Sequence, residues 1–183
     1  MNRRHVLLGL GAATALAPKA LAARKTDLGG AYGGSEIVEY PTPERPGTII
    51  VDTTERVLYH VLDRETAVRY GVAVGRDGYD WAGIAAIGRK EEWPVWTPPT
   101  AMLARQPELR KFAGGMPGGP DNPLGARALY LFEGERDTLF RIHGTNEPQS
   151  IGSAASSGCI RMLNEEVSEL YDYAEIGTKV IVL

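Results

Sequence analysis

Residues Ser156–Met162 read SSGCIRM and contain the only cysteine of the 183-residue chain. His143 lies sixteen residues before this cysteine (159 − 143) and is followed by Gly144 and Thr145. A single thiol cannot form a disulfide within the chain. A cysteine that follows a glycine in a turn of small residues, with a histidine available, is typical of a nucleophile. The sequence therefore predicts a reactive Cys159, and the alternative, a small buried apolar residue, stays open at this point.

The first 22 residues have the pattern of an export signal. The pair Arg3-Arg4 precedes a short apolar stretch that ends in Ala-x-Ala at residues 20–22. The paired arginines resemble a twin-arginine address. The apolar stretch is shorter than the ~20 residues that a membrane-spanning helix needs, so we expect cleavage near Ala22-Ala23 and no stable span afterwards. The expected location is the periplasm or cell wall; the alternative is an uncleaved anchor.

Composition limits the class of partner. The formal net charge is −3 and the sequence pI is about 5.7, so the chain has no basic field that would attract nucleic acid. Residues 23–46 are rich in glycine and proline and predict a leader arm without much regular structure. Residues 47–183 are then one folded domain. In an exported protein a lone cysteine is more typical of function than of core filling.

The pattern within that domain predicts a mainly β fold with mixed sheets, arranged as a sandwich or barrel. A short helix is expected near residues 98–110, and a longer one begins with Asn164 as its N-cap and places Val167, Leu170, Tyr171 and Ala174 on one face. The glycine-rich run 114–125 predicts a loop. We expect this loop to act as a lid over the groove that binds the substrate. Strands are expected at 48–52 and 56–62 as a hairpin, 66–74, 82–96 with an internal turn near Arg89, 128–132 paired with 138–143, and 178–183.

Five ordered segments together resemble the L,D-transpeptidase catalytic domain, the YkuD or ErfK-YbiS-YcfS-YnhG family. The resemblance covers about residues 47–183 and implies the fold of that domain. The segments are Asn122–Gly125, His143–Thr145, Ile151-Gly152, Ser156–Met162 and Gly177–Val180.

The resemblance implies three catalytic roles. Cys159 is the nucleophile, His143 is the general base and later the general acid, and the backbone carbonyl of Gly144 orients the imidazole. An unperturbed thiol has a pKa of about 8.5, which leaves little thiolate near pH 7. A close imidazole that accepts the proton would form an ion pair and lower the thiol pKa.

Four further residues of the SSGCIRM run are candidates for oxyanion or substrate binding: Ser156, Ser157, Gly158 and Arg161. The Gly158 and Cys159 amides are candidate oxyanion donors, and the Arg161 guanidinium suits bidentate binding of a carboxylate. The alternative for Arg161 is a surface ion pair with Glu165 or Glu166. The family usually has a histidine where this chain has Ser157, so we expect an altered rate or specificity rather than an inactive protein.

The function that the resemblance implies is an exported cysteine L,D-transpeptidase. Peptidoglycan stem peptides are the expected donor and acceptor, with release of D-alanine and transfer of the acyl group to a stem amine in a 3→3 cross-link, or to a surface protein. The alternatives are an L,D-carboxypeptidase or amidase, a D-amino-acid exchange enzyme, and a non-catalytic peptidoglycan-binding module.

No cofactor is predicted, and no metal site is predicted either, because the soft set His60, His143 and Cys159 has no tight spacing. We interpret His60 as a structural strand residue. Trp81, Trp93 and Trp96 are predicted to be core residues, with a groove lining as the alternative.

Overall fold

The computed structural model describes residues 34–76, 81–156 and 158–183. Within them the chain is mostly β, as predicted. The strands are β1 Glu36–Glu39, β2 Ile49–Asp52, β3 Val57–Val61, β4 Thr66–Gly71, β5 Val74–Gly75, β6 Gly83–Glu92, β7 Arg127–Glu133, β8 Arg136–His143, β9 Ala154–Ser156, β10 Ile160–Arg161 and β11 Lys179–Val182.

Nine of these strands form one mixed sheet in the order β1-β4-β3-β2-β11-β6-β7-β8-β10, and β5 pairs with β9 separately. Most neighbours are antiparallel, but β11 is parallel to β2 and β10 is parallel to β8. The last strand of the chain therefore lies in the middle of the sheet, between β2 and β6. The strand with the SSGCIRM segment lies at the opposite edge from β1.

The described residues also form two α-helices, α1 Thr100–Arg105 and α2 Asn164–Tyr173, and short 3-10 helices at Pro107–Phe112 and Pro148–Ser150. The α2 helix packs against β7 and β8. Val167 and Leu170 in the helix and Ala174 at its C-cap are buried, as the 3.6-residue period predicts, and Tyr171 is partly buried. They join strand residues such as Leu129 in one continuous core.

The two predicted strand pairs are confirmed, since β2 pairs with β3 and β7 pairs with β8, each antiparallel. The turn predicted near Arg89 is wrong: β6 runs continuously, and its register with β7 shifts between Ile87 and Arg89. The extra residue is Gly88, where a Cβ would overlap the ring of Phe132. A bulge thus takes the place of the predicted turn.

The predicted leader arm contains regular structure after all, because Glu36–Glu39 pairs with β4 as an edge strand. Residues 1–33, which include the predicted export signal, lie outside the described residues. Among the described residues, no helix has both the length and the apolar character needed to cross a membrane.

Candidate active site

The register between β8 and β10 brings the two parts of the predicted site together. Ile160 pairs with Ile142 and Arg161 with His143, and the two isoleucines are buried in the core. Neighbouring residues along a strand point to opposite faces, so His143 and Arg161 share the face away from the core. Cys159 directly precedes β10, and the same register places it opposite Arg141, one diagonal step from His143.

His143 is almost completely buried, and its ring is fixed by its neighbour's backbone. Nδ1 lies 2.6 Å from the carbonyl oxygen of Gly144, which can only accept, so Nδ1 carries the proton and Nε2 has the lone pair. Burial, together with the charges of Arg161 and Arg141, lowers the pKa of His143 to about 4, against the raising effect of hydrogen bonds to the Gly144 and Leu124 backbone. The imidazole is therefore a neutral base near pH 7.

The Cys159 thiol is partly exposed and donates to the carbonyl of Leu139 at 3.9 Å. Burial among its neighbours raises the thiol pKa above its ordinary value, against the lowering effect of the Arg141 backbone and of the Arg141 and Arg161 charges. The sequence predicts a thiolate–imidazolium ion pair. The pKa directions of both groups instead favour a neutral thiol beside a neutral imidazole at rest.

Ser156 shapes the turn before the thiol. Its hydroxyl is buried, donates to the Cys159 carbonyl at 2.5 Å and accepts the Gly158 amide at 3.0 Å. Gly158 has a φ of 119°, a conformation that glycine adopts without strain. The predicted oxyanion donor Gly158 thus already has an internal acceptor. Ser157 lies outside the described residues.

Arg161 forms an ion pair, but not with either glutamate that the sequence offers as its alternative partner. Its guanidinium donates to Oε2 of Glu147 at 2.8 Å. Glu147 lies in the loop after β8, just before the 3-10 helix Pro148–Ser150. Glu166 is buried within α2. Arg161 and Glu147 are fourteen positions apart in the sequence (161 − 147). They meet because β10 pairs with β8, and Glu147 lies in the loop that follows β8.

Comparisons with known proteins decide the family. Residues 46–182 match the family model of the L,D-transpeptidase catalytic domain, YkuD. The chain belongs to the L,D-transpeptidase family. It is 32% identical over 149 residues to the "Probable L,D-transpeptidase ErfK/SrfK" of Salmonella typhimurium, a match that covers 78% of this chain and 46% of the relative. The chain therefore spans about half the length of that curated relative.

Solved structures agree with this fold. An L,D-transpeptidase from Mycobacterium smegmatis has a TM-score of 0.56 at 17% identity, covering 82% of this chain and 59% of the other. A Brucella melitensis protein described as a probable carnitine operon oxidoreductase has a TM-score of 0.57 at 51% identity, covering 81% of this chain and 92% of the other. That description names another enzyme class, so the family assignment rests on the family model and the curated relative.

Asn164 makes long-range contacts in this L,D-transpeptidase domain that the sequence interpretation missed. It is the first residue of α2, and the N-cap is Leu163, so the predicted capping role is wrong. Its Oδ1 instead accepts the backbone amides of Ala126 and Thr145, at 3.0 and 3.1 Å. It thereby ties the loops on both sides of His143 to the helix. A sequence pattern gives no sign of this, because both acceptor contacts are long-range.

The glycine-rich loop over the histidine is fixed from within. Asn122 is fully buried, and its Nδ2 lies 3.0–3.1 Å from the carbonyls of Pro94, Met116 and Pro117. A Cβ on Gly125 or Gly144 would overlap Oδ1 of Asn164, so only glycine allows this close approach. The loop that the sequence predicts as a lid is therefore held by hydrogen bonds both within itself and to Pro94.

The three tryptophans have different environments, and none is among the fully buried core residues. Trp81 packs against the core and stacks on Phe140 with ring centroids 5.3 Å apart. Together with Gly158 and Ile160 it lines a small cavity beside the cysteine turn. Trp93 is exposed, and Trp96 packs near Phe112. Trp81 is thus partly buried against the core, close to the environment that the sequence predicts, whereas Trp93 is not a core residue.

His60 lies in β3, and four strands separate β3 from β8 in the sheet order, so it belongs to a different part of the molecule from His143. It is buried, and burial lowers its pKa. In the described part of the chain, no group of three or more His, Cys, Asp or Glu side chains is arranged to hold a metal ion.

Proposed function

We propose that this chain is an exported cysteine L,D-transpeptidase that acts on peptidoglycan stem peptides. The observation that supports the proposal is the parallel pairing of β10, which directly follows Cys159, with β8, which ends at the buried and oriented imidazole of His143. Membership of the L,D-transpeptidase family supports the reaction class.

Acylation begins when the thiol proton turns from the Leu139 carbonyl toward Nε2 of His143. The sulfur then attacks the carbonyl carbon of the third residue of a tetrapeptide stem. The C–N bond to the terminal D-alanine breaks, and His143 returns the proton to the leaving amine. The carbonyls of Gly144 and Leu124 stabilise the imidazolium that forms in between, because both favour the protonated ring.

The resulting thioester is resolved by an amine. The amine attacks the acyl carbon, the C–S bond breaks, and the proton that His143 accepts from the amine passes to the departing thiolate. An amine from a second stem gives a 3→3 cross-link, and an amine from a protein side chain attaches that protein to the wall. The neutral resting state of His143 suits this second half, since a base is needed again.

Substrate binding is assigned to the turn and to Arg161. Since the Gly158 amide is bonded to Ser156, the Cys159 amide is the better candidate for the oxyanion. Arg161 binds a stem carboxylate in place of Glu147. The Glu147 side chain is 54% exposed and can move into solvent when the stem carboxylate takes its position. Such an exchange keeps the guanidinium paired throughout.

The test is to mix the mature protein with tetrapeptide stems and measure D-alanine release and product masses. Cys159→Ala should abolish release, and His143→Asn should reduce it by about 100-fold or more. His60→Asn is the matched control, a buried histidine outside the site, and should keep the activity. Equal release by Cys159→Ala and the unaltered protein would overturn the proposal.

Product masses separate the remaining alternatives. A product that has lost D-alanine and gained water indicates a carboxypeptidase, and one that has exchanged D-alanine for another D-amino acid indicates an exchange enzyme. Stem binding without acylation of Cys159 by a carbapenem would indicate a non-catalytic module. Export through residues 1–22 stays a prediction, checked by the mass of the mature N-terminus in the periplasmic fraction.

A further inference from the structure

A row of side chains crosses the sheet and ends at the nucleophile. Arg89 pairs with Tyr130 between β6 and β7, and Tyr130 pairs with Arg141 between β7 and β8. Cys159 directly precedes β10, and extending the β8–β10 register by one residue places it opposite Arg141, whose backbone also acts on the thiol. Cross-strand partners share a face, so these three side chains lie on the side of the sheet that carries His143, and the alternation from Arg161 back to Cys159 leads to the same side.

The row is held by contacts that fix the Arg141 guanidinium. NH1 and NH2 of Arg141 each donate to a carboxylate oxygen of Asp137, at 2.7 and 2.9 Å. The guanidinium also lies over the Tyr130 ring, 4.5 Å from its centroid, and the Arg89 guanidinium lies 3.7 Å from the same centroid. The Arg141 side chain is only 14% exposed. A bidentate pair on an aromatic face leaves a guanidinium little freedom.

A bulge in β8 creates this arrangement. Between the pairs Phe132–Asp137 and Tyr130–Arg141, β7 has one residue and β8 has three. Leu139, in the middle of the three, has a φ of 65°, an unusual conformation for a leucine. The Asp137 carboxylate accepts the Leu139 amide at 2.8 Å, while the Leu139 carbonyl accepts the Cys159 thiol. One aspartate thus holds both the bulge and the arginine beside the sulfur.

We propose that Arg141 is a positioning residue for the nucleophile: its immobilised guanidinium supplies a fixed positive charge beside Cys159 that stabilises the thiolate as it forms. The catalytic meaning of this role rests on the proposed function. His143 provides proton transfer, and Arg141 provides the charge that a neutral imidazole lacks at rest.

Charged and titratable groups approach Cys159 from several elements. Asp137, Arg141 and His143 come from β8, Arg161 comes from β10 with its partner Glu147, and Tyr130, Arg89 and Glu91 complete the row behind. Among their effects on the thiol pKa, both contributions from Arg141 are lowering, and Arg161 acts in the same direction. The Asp137 carboxylate raises the thiol pKa, but its negative charge is paired with the Arg141 guanidinium.

The experiment measures thiol reactivity without substrate. Iodoacetamide alkylation followed across pH reports Cys159 alone, because the chain has a single cysteine. Arg141→Met should move the midpoint of the alkylation profile upward by about one pH unit, which lowers the rate near pH 7.5 by about tenfold. Arg141→Lys keeps the charge and should restore most of the rate. The matched control is Arg136→Met, which removes an exposed, glutamate-paired arginine from the start of the same strand.

An unchanged midpoint in folded Arg141→Met, or an equal shift in Arg136→Met, would overturn the inference. Folding is checked by circular dichroism and thermal unfolding, and Arg141→Gln, which keeps donors toward Asp137, replaces the methionine variant if that variant does not fold. The outcome is separable from the proposed function, since a protein that fails to release D-alanine can still show the shift. Conversely, D-alanine release with no shift would remove only the role of Arg141.

Discussion

Two arginine–carboxylate pairs act on Cys159, and they differ in how firmly the carboxylate is held. Arg141 makes two bonds to Asp137, which lies in the same strand and is also bonded to the backbone of the bulge. Arg161 makes a bond to Glu147, whose side chain is 54% exposed and comes from a loop. The first pair is suited to hold its guanidinium in one place. The second pair is suited to separate, so that its guanidinium can bind another carboxylate. The difference suggests that one arginine serves the sulfur and the other serves the substrate.

Acid titration of His143 should have the largest effect on the free energy of unfolding. It tests both arginine–carboxylate pairs, because both arginines lower the His143 pKa. The folded pKa of about 4 lies below the ordinary value of 6.5, so the unfolded chain takes up the proton first as pH falls. Stability should thus be fully present above pH 6.5 and fall by about 3 kcal/mol by pH 4.

Urea unfolding at pH 7 and pH 4.5, compared with His143→Asn, isolates this contribution, since the effect of His60 is common to both proteins. The acid loss should shrink more in Arg161→Met than in Arg141→Met, because Arg161 lowers the His143 pKa more. Identical pH dependence in His143→Asn and the unaltered protein would contradict the assignment.

The next effect separates the two arginines by kinetics. Arg161→Met should raise KM for a tetrapeptide stem by roughly 10- to 100-fold, because a hydrogen bond to a charged group contributes roughly 1.5–3 kcal/mol. Arg141→Met should leave KM within about twofold and lower kcat. Steady-state D-alanine release gives both constants. An equal KM increase in the two variants would show that both arginines contact substrate and would remove the distinction drawn here.

The smallest effect concerns stability without substrate. Asp137→Asn weakens the bidentate pair and should cost about 1 kcal/mol of unfolding free energy, whereas Glu147→Gln should cost less than about 0.5 kcal/mol because its carboxylate is exposed. Urea denaturation at pH 7 measures both. A larger loss for Glu147→Gln would mean that the loop pair is structural and not exchangeable.

Local patterns were enough for the elements that repeat one rule along the chain. The 2-residue alternation predicted the β2–β3 and β7–β8 pairs, and the 3.6-residue period predicted the buried face of α2. The predictions failed where a residue makes contacts with residues that are distant in the sequence, because a local pattern does not show such contacts. Asn164 resembles a helix cap in sequence, but its side chain bonds two loop amides, and Gly88 is a bulge rather than a turn.

The sequence by itself determined the family and the candidate residues Cys159 and His143. Each of them lies in a short motif with its neighbouring glycine, so the motif can be recognised without knowledge of the fold. Only the tertiary structure decided which charges surround the sulfur. Arg141, Asp137, Tyr130 and Glu147 are ordinary polar residues in sequence, and they become relevant because β8 bulges and β10 returns beside it in parallel register. Electrostatic effects depend on distance and burial, and neither follows from a residue's position in the chain.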